Sequence, residues 1–552
     1  MRFASSRSVA RRLASLVAAA AKDPTALARV HDRLLFLAAY PPSRLVLRAA
    51  EALLRRVPAL VAGLEARDAD LSVFDELEVA GVAGTTITTD FSFDLVRWLC
   101  ARYPRGVSID WGVEESEDRM RATWPEFLPL LEEEALADAN VPYRTWLRAG
   151  AGRRWRDVAW LLERYRQLPF AEDERAERWD ALGVPVAWSL PAAASRTFMR
   201  RPGPALFLHD RPLLARRDVS LPAVFAAPPL SIRRLSRRAG QRVCDMVRVA
   251  TAARYREFYT FTYADPASVL AARPGRGVEI FLLGVLPERR LPVRSAYGGF
   301  VVKNGVPIGY IEGLAICERL EIGFNLYYAF REGESAWIYA QVMKLHREAL
   351  GVTSFSIDPY QLGFENEEAI ASGAFWFYRK LGFRPTHAPT AALIAREEAR
   401  IASNSNYRSP ARTLRRLVTH NLLYEVPGTE SRDWDGFHVR RVGLAVNRAM
   451  ARSASGGAGR FRRAAERRVA RALGLEPDGL DGRERRAFRG WAPALALIPG
   501  LSRWTEEERR GVAEVVLAKA GPTERGYLRR LQRHARLREA LIRLGSEATS
   551  GV

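Results

Sequence analysis

Two carboxylates, one phenol and one short acidic turn are the residues of this 552-residue chain whose types and positions suit chemistry. Glu312 and Glu321 each stand in a strand-like run that is otherwise largely apolar, at 306–315 and 321–329. Burial on such a strand raises a carboxyl pKa, which makes either group a candidate general base. Tyr378 lies in Ala374-Phe375-Trp376-Phe377-Tyr378-Arg379-Lys380-Leu381-Gly382-Phe383, an apolar helical stripe closed by glycine. A phenol with a pKa of about 10 is a proton donor at neutral pH. Arg331-Glu332-Gly333-Glu334-Ser335-Ala336 stands between a strand and a helix. Such a helix start carries unpaired N–H groups and the positive end of the helix dipole. Asp358-Pro359-Tyr360-Gln361 follows the next strand. Open sheets bind ligands beyond the carboxyl ends of parallel strands, so Asp358, Tyr360 and Gln361 are candidate substrate contacts.

These residues need a frame. The pattern over 230–395 predicts a helix at 238–259, a strand at 278–286 and a hairpin of 297–302 and 306–315. Asn304-Gly305 marks the hairpin turn, because both residues tolerate the positive φ that a tight turn demands. A strand at 321–329, a helix at 335–350 stopped by Gly351, a strand at 352–357, a helix at 365–381 and a last strand from Phe383 follow. The expected product is a twisted, mainly antiparallel sheet whose one parallel pair splays near Tyr328 and Ile357.

That order of elements, with Ala374, Tyr378, Gly382 and Phe383 at the family's spacing, resembles the GNAT superfamily of acyl-CoA-dependent N-acyltransferases. The resemblance spans under a third of the chain. It implies transfer of an acyl group, expected to be acetyl, from acyl-CoA to a small-molecule or peptide amine by direct attack. It gives Tyr378 the departing thiolate, and gives the CoA pyrophosphate to a loop at Arg331, Gly333, Glu334, Ser335 and Ala336, with Ala374 beside the cofactor. Phe330 stands where the family has Arg or Gln, and Ala371 where it often has Asn. Ser372 and Asn366 are the polar residues nearest that second place, and Asn366 joins the candidate substrate contacts. Two other readings stay open: a non-catalytic GNAT-like scaffold binding a partner or polyanion through basic helices, and a transferase whose donor is not free CoA.

The remaining chain carries no motif with chemistry. The expected fold class is α+β and multidomain: a helical domain at 1–184, a proline-rich connector at 185–229, a central GNAT-like mixed sheet with flanking helices at 230–395, and a basic helical region at 396–552. In the first, Ser43 is a helix cap, and Trp155, Val158, Leu161, Leu162 and Tyr165 form a helical stripe. Strand-like stretches are expected at 107–111 and 205–209. In the last, Thr505 and Glu508 have the spacing of a capping box, and 453–459 reads as a linker.

Lys and Arg total 85 against 63 Asp and Glu, a formal charge of +22 that favours polyanions. The excess is nearly all arginine, and alanine is abundant, so biased composition explains much of it without a partner. Residues 396–552 carry about +14 of the charge. Aromatic residues are too sparse there for a base-stacking platform, so no specific nucleic-acid partner is expected. Three scattered cysteines without a CxxC, and seven histidines without HxxxH spacing, give no disulfide framework and no expected metal. Arg11-Arg12 before the apolar run 13–21 has the layout of a short signal peptide; an amphipathic helix is the expected reading. No run reaches the ~18 apolar residues of a membrane span, so no membrane partner and a cytoplasmic location are expected. The acceptor and the oligomeric state are left open.

Overall fold

The computed structural model describes residues 6–113, 119–120, 142–203, 205–404, 406–453 and 457–546. The acidic runs at 114–118 and 132–134 lie outside them, as do 454–456 of the expected linker. The protein is α+β. Its backbone clusters into two compact units, 1–211 with 245–262 and 303–307, and 212–244 with 263–302 and 308–552. The four-part division expected from composition is therefore corrected. Residues 396–552 belong with most of the central region, and the proline-rich stretch divides between the units near Arg211. No helix among the described residues is long and apolar enough to cross a membrane.

The first unit is mainly helical but holds a small sheet. Leu13, Val17 and Ala20 are the buried side of the Ser6–Ala20 helix, the amphipathic pattern expected there. Ser43 Oγ accepts the Val46 amide and caps the Arg44–Leu54 helix, which buries Val46, Ala50, Leu53 and Leu54. Trp155 falls outside its expected stripe: the helix begins at Asp157, and Trp155 is exposed. Strands β1 (Thr86–Thr89), β2 (Val107–Ile109) and β3 (Val186–Ser189) form an antiparallel sheet in the order β1-β3-β2. The central strand β3 comes from the stretch expected to be an irregular connector. Pro185 precedes it, where a missing backbone donor breaks no rung of the sheet. Residues 205–209, expected as a strand, are irregular.

The second unit is built on nine strands. They are β4 (Ile232–Arg234), β5 (Leu270–Gly275), β6 (Val278–Gly284), β7 (Ser295–Lys303), β8 (Val306–Ile316), β9 (Arg319–Leu326), β10 (Ser354–Ile357), β11 (Arg384–Pro385) and β12 (Leu422–Glu425). Their order is β11-β12-β10-β9-β8-β7-β6-β5-β4. The β4–β5, β5–β6, β8–β9, β10–β12 and β11–β12 pairs run antiparallel, and β9–β10 runs parallel. Asn304 and Gly305 both take positive φ at the β7–β8 turn, as expected. Strands β6 and β7 are buried at every position, which a sheet covered on both faces requires.

Three details differ from the sequence expectation. The helix expected at 365–381 is two helices, Glu367–Ser372 and Ala374–Lys380, because Gly373 between them is left-handed at φ 69°. The final strand expected from Phe383 is only the two-residue β11. The longer closing strand is β12, which lies between β10 and β11 although it comes after both in sequence. The Ser335–Leu350 helix is buried on nearly every side, including Lys344, whose Nζ donates to Ala227 O and Pro228 O at 2.7 Å each. In the basic region, Thr505 and Glu508 do form a reciprocal capping box.

Candidate functional site

The parallel pair β9–β10 is short. Its rungs are Ser354↔Arg319, Phe355↔Leu320 and Ser356↔Glu321. Strand β9 then continues from Ile322 to Leu326, paired only with β8 on its other side. Beside those residues the strand pairing has a gap, and the β9 backbone forms one edge of it.

Glu312 sits next to this gap. It lies directly opposite Gly323 of β9, so the two share one face of the sheet. A methyl group at Gly323 would meet Gln361 Nε2 at 3.3 Å, which places the Gln361 amide over that glycine on the same face. Tyr310 and Asn325 form the next opposed pair on that face, and Asn325 Nδ2 donates to Tyr310 Oη at 3.0 Å. Among the described residues no hydrogen bond or ion pair reaches the Glu312 carboxylate. Desolvation alone moves its pKa, upward from the usual value. A half-buried carboxylate with no cation beside it is more basic than an exposed one.

Glu321, the other candidate base, is differently placed. Its carboxylate faces Arg294 at 3.5 Å and Arg319 at 3.6 Å. Arg319 is itself buried and donates to Ser356 Oγ at 2.8 Å. Glu321 therefore stands beside a buried guanidinium two residues along the same strand, and its candidacy as a base is corrected.

The 331–336 loop carries a second correction. Glu334 does not face a ligand: it is fully buried, Arg276 Nε donates to its Oε2 at 3.0 Å, and Leu214 N donates to its Oε1 at 3.1 Å. Arg331 is held by Glu368 at 2.6 Å and lies over the Tyr328 ring. Gly333 N donates to Phe330 O at 3.0 Å, which tightens the turn ahead of the helix. Ser335 and Ala336 open the helix as expected. The acidic appearance of the loop is thus halved, because the Glu334 charge is met by Arg276. Arg276→Ala would remove the guanidinium paired with that buried carboxylate. It is expected to cost roughly 2 kcal/mol or more of stability, measured by denaturant unfolding. An unchanged midpoint would show that Glu334 does not depend on Arg276.

Two of the candidate substrate contacts are occupied by local structure. Asp358 Oδ1 accepts the Tyr360 amide at 2.9 Å and caps the Pro359–Leu362 turn of helix. Asn366 caps the Glu367–Ser372 helix through the Ala369 amide at 3.1 Å, and its Nδ2 donates to Tyr360 O at 3.1 Å. Both assignments are corrected to capping roles, which the Asp and Asn preference for helix starts could have signalled. Tyr360 is 55% exposed and Gln361 half-buried, so of this group Gln361 is the one at the gap. Ala374 begins the helix that follows left-handed Gly373.

Tyr378 is buried on that helix in an aromatic cluster. Its ring lies 5.6 Å from Tyr339 and 5.7 Å from Phe383, both edge-on. Tyr339 in turn lies 5.1 Å from Phe324 of β9. Phe324 neighbours Gly323 in the strand, so this cluster covers the face opposite to Glu312. Burial pushes the Tyr378 phenol well above its usual pKa, so it stays protonated through the neutral range. Among the described residues no hydrogen bond occupies its hydroxyl. The Tyr339 hydroxyl is buried without a hydrogen-bond partner among the described residues.

The arrangement can therefore supply a basic carboxylate on one face of a split sheet and an unengaged phenol on the other. Tyr310, Gly323, Asn325 and Tyr339 were not singled out from sequence. The alternation of Tyr310 with Glu312 on one strand was the available signal. Comparison with protein-family models, with curated proteins and with solved structures gave no match to this chain.

Proposed function

We propose that the second unit is a GNAT-type N-acyltransferase that moves an acyl group, acetyl in the first instance, from acyl-CoA to an amine. The observation that carries the reading is the parting of β9 from β10 beside a half-buried carboxylate that no cation neutralises. The order of elements around the gap and the Ala374-to-Phe383 motif on the helix after β10 support it.

The co-substrate supplies a thioester carbonyl open to attack. The amine nitrogen bonds to that carbon as the carbon–sulfur bond breaks. Glu312 accepts the proton the nitrogen loses, directly or through one water. The Tyr378 hydroxyl donates to the sulfur as charge collects there. The β9 backbone at 322–326 lines the gap with peptide groups able to orient an extended amide chain. The amides at the start of the Ser335–Leu350 helix suit the pyrophosphate, with Glu334 already matched to Arg276. Gln361 would contact the acceptor.

Isothermal titration of the full chain with acetyl-CoA tests this reading. One binding event per chain is expected, followed by acetylation when a panel of small amines and peptides is added. No heat of binding at millimolar acetyl-CoA would overturn it.

A further inference from the structure

A concavity in the second unit is formed by C-terminal helices together with the loop at 287–292. It is a groove of about 760 Å³ between the Ala458–Leu473 helix, the Gly482–Leu495 helix and the loop at 287–292. Gly490 lets the loop close on the second helix: a methyl group there would meet Pro292 Cβ at 3.1 Å. Arg290, Arg462, Arg463, Arg483, Arg486 and Arg489 line the groove, with Glu466 as its one carboxylate.

The charge of most of these arginines is not neutralised locally. Glu466 is 3.6 Å from Arg489 alone. Arg290 donates to the carbonyls of Lys519, Gly521 and Pro522, and Arg486 to the carbonyl of Glu288 at 3.3 Å. Those bonds fix the guanidiniums without cancelling their charge. Arg462, Arg463 and Arg483 are exposed, and their guanidiniums have no bonded partner among the described residues. Like charges held around one concavity repel, and an anion that fills it relieves the repulsion. Guanidinium forks match phosphate oxygens better than a lone carboxylate, and several forks in one groove match several phosphates. No aromatic ring lines the groove, so nothing there would stack a base.

We infer that this groove binds a chain of phosphate groups, read by charge and not by sequence. Nucleic-acid backbone and inorganic polyphosphate share that chemistry. A second arginine groove provides an internal control: Arg510, Arg529, Arg530, Arg533 and Arg536 lie there, but three carboxylates, Glu507, Glu508 and Glu514, lie among them.

The test is fluorescence anisotropy of the full chain with a labelled mixed-sequence single strand of about 16 nucleotides. Titrations at about 50 and 200 mM salt are compared. The variant Arg462→Gln/Arg463→Gln/Arg483→Gln should bind at least about tenfold more weakly at the lower salt, with its salt slope reduced by about 2. The variant Arg510→Gln/Arg529→Gln/Arg533→Gln removes equal charge and should lose no more than about threefold. Polyphosphate should displace the strand, and orthophosphate at equal phosphate concentration should not. Whichever polymer binds tighter per phosphate names the source. Equal losses in the two variants, absence of binding at low salt, or a strand that polyphosphate cannot displace would each overturn the inference. Arg483→Glu alone, checked by thermal melting, serves if the triple variant does not fold.

Discussion

Turnover by Tyr378→Phe is expected to fall by roughly 10²- to 10⁴-fold, with acyl-CoA affinity almost unchanged. The hydroxyl acts on charge that is absent from the bound thioester and present only as the sulfur departs. Its loss therefore raises the barrier without weakening the ground-state complex, so kcat falls and KM does not. The ring makes the packing contacts with Tyr339 and Phe383, and phenylalanine keeps them. No hydrogen bond of the hydroxyl is lost among the described residues, so the melting temperature should hold. Steady-state rates and calorimetry on one preparation check both halves. Wild-type rates in the variant would show that Tyr378 only packs.

Glu312→Gln is expected to change activity and stability in opposite directions. As the base, Glu312 must be ionised, so the wild-type rate should climb as pH rises through its raised pKa. The variant should lose that limb and run about 10²- to 10⁴-fold slower. Stability follows the opposite sign. Desolvation makes the folded state hold the Glu312 proton more tightly than the unfolded chain does, whose carboxyl titrates near its ordinary value of 4.5. Stability then falls as pH rises from the unfolded pKa to the folded one, and the cost stays in full above it. Glutamine carries no charge to desolvate. The variant should melt at a higher temperature than wild type near neutral pH and at a similar one below the unfolded pKa. A variant that is slower and also less stable at neutral pH would point to a structural role for the carboxylate.

The contrast between Glu312 and Glu321 shows what the sequence could carry. Both are carboxylates on apolar strands, and the one local difference is Arg319, two residues before Glu321 on the same face of β9. The rest is set by strand register: Arg294, beside β7, reaches Glu321, and Gly323 lies opposite Glu312. Register depends on strands distant in sequence, so a periodic pattern alone does not contain it. The Asn304-Gly305 turn was legible because positive φ is a local demand. The caps at Asp358 and Asn366 were equally local, but their residue types suit substrate contact as well as helix starts. The partnership of Glu334 with Arg276 joins residues 58 positions apart and left no trace in either neighbourhood. Strand β12 escaped notice because four residues among long helical stretches make too short a periodic signal.

The position of β12 bears on how the chain matures during synthesis. Strands β10 and β11 leave the ribosome first, yet β11 has no neighbour, and β10 only β9, until Leu422–Glu425 follows after two further helices. Until then β10 presents an open edge, and such an edge pairs with any strand that comes near. A fragment cut at 395, where the composition suggests a boundary, would keep that edge for good. It would associate with its own copies, whereas a fragment carried past Glu425 closes the sheet on itself.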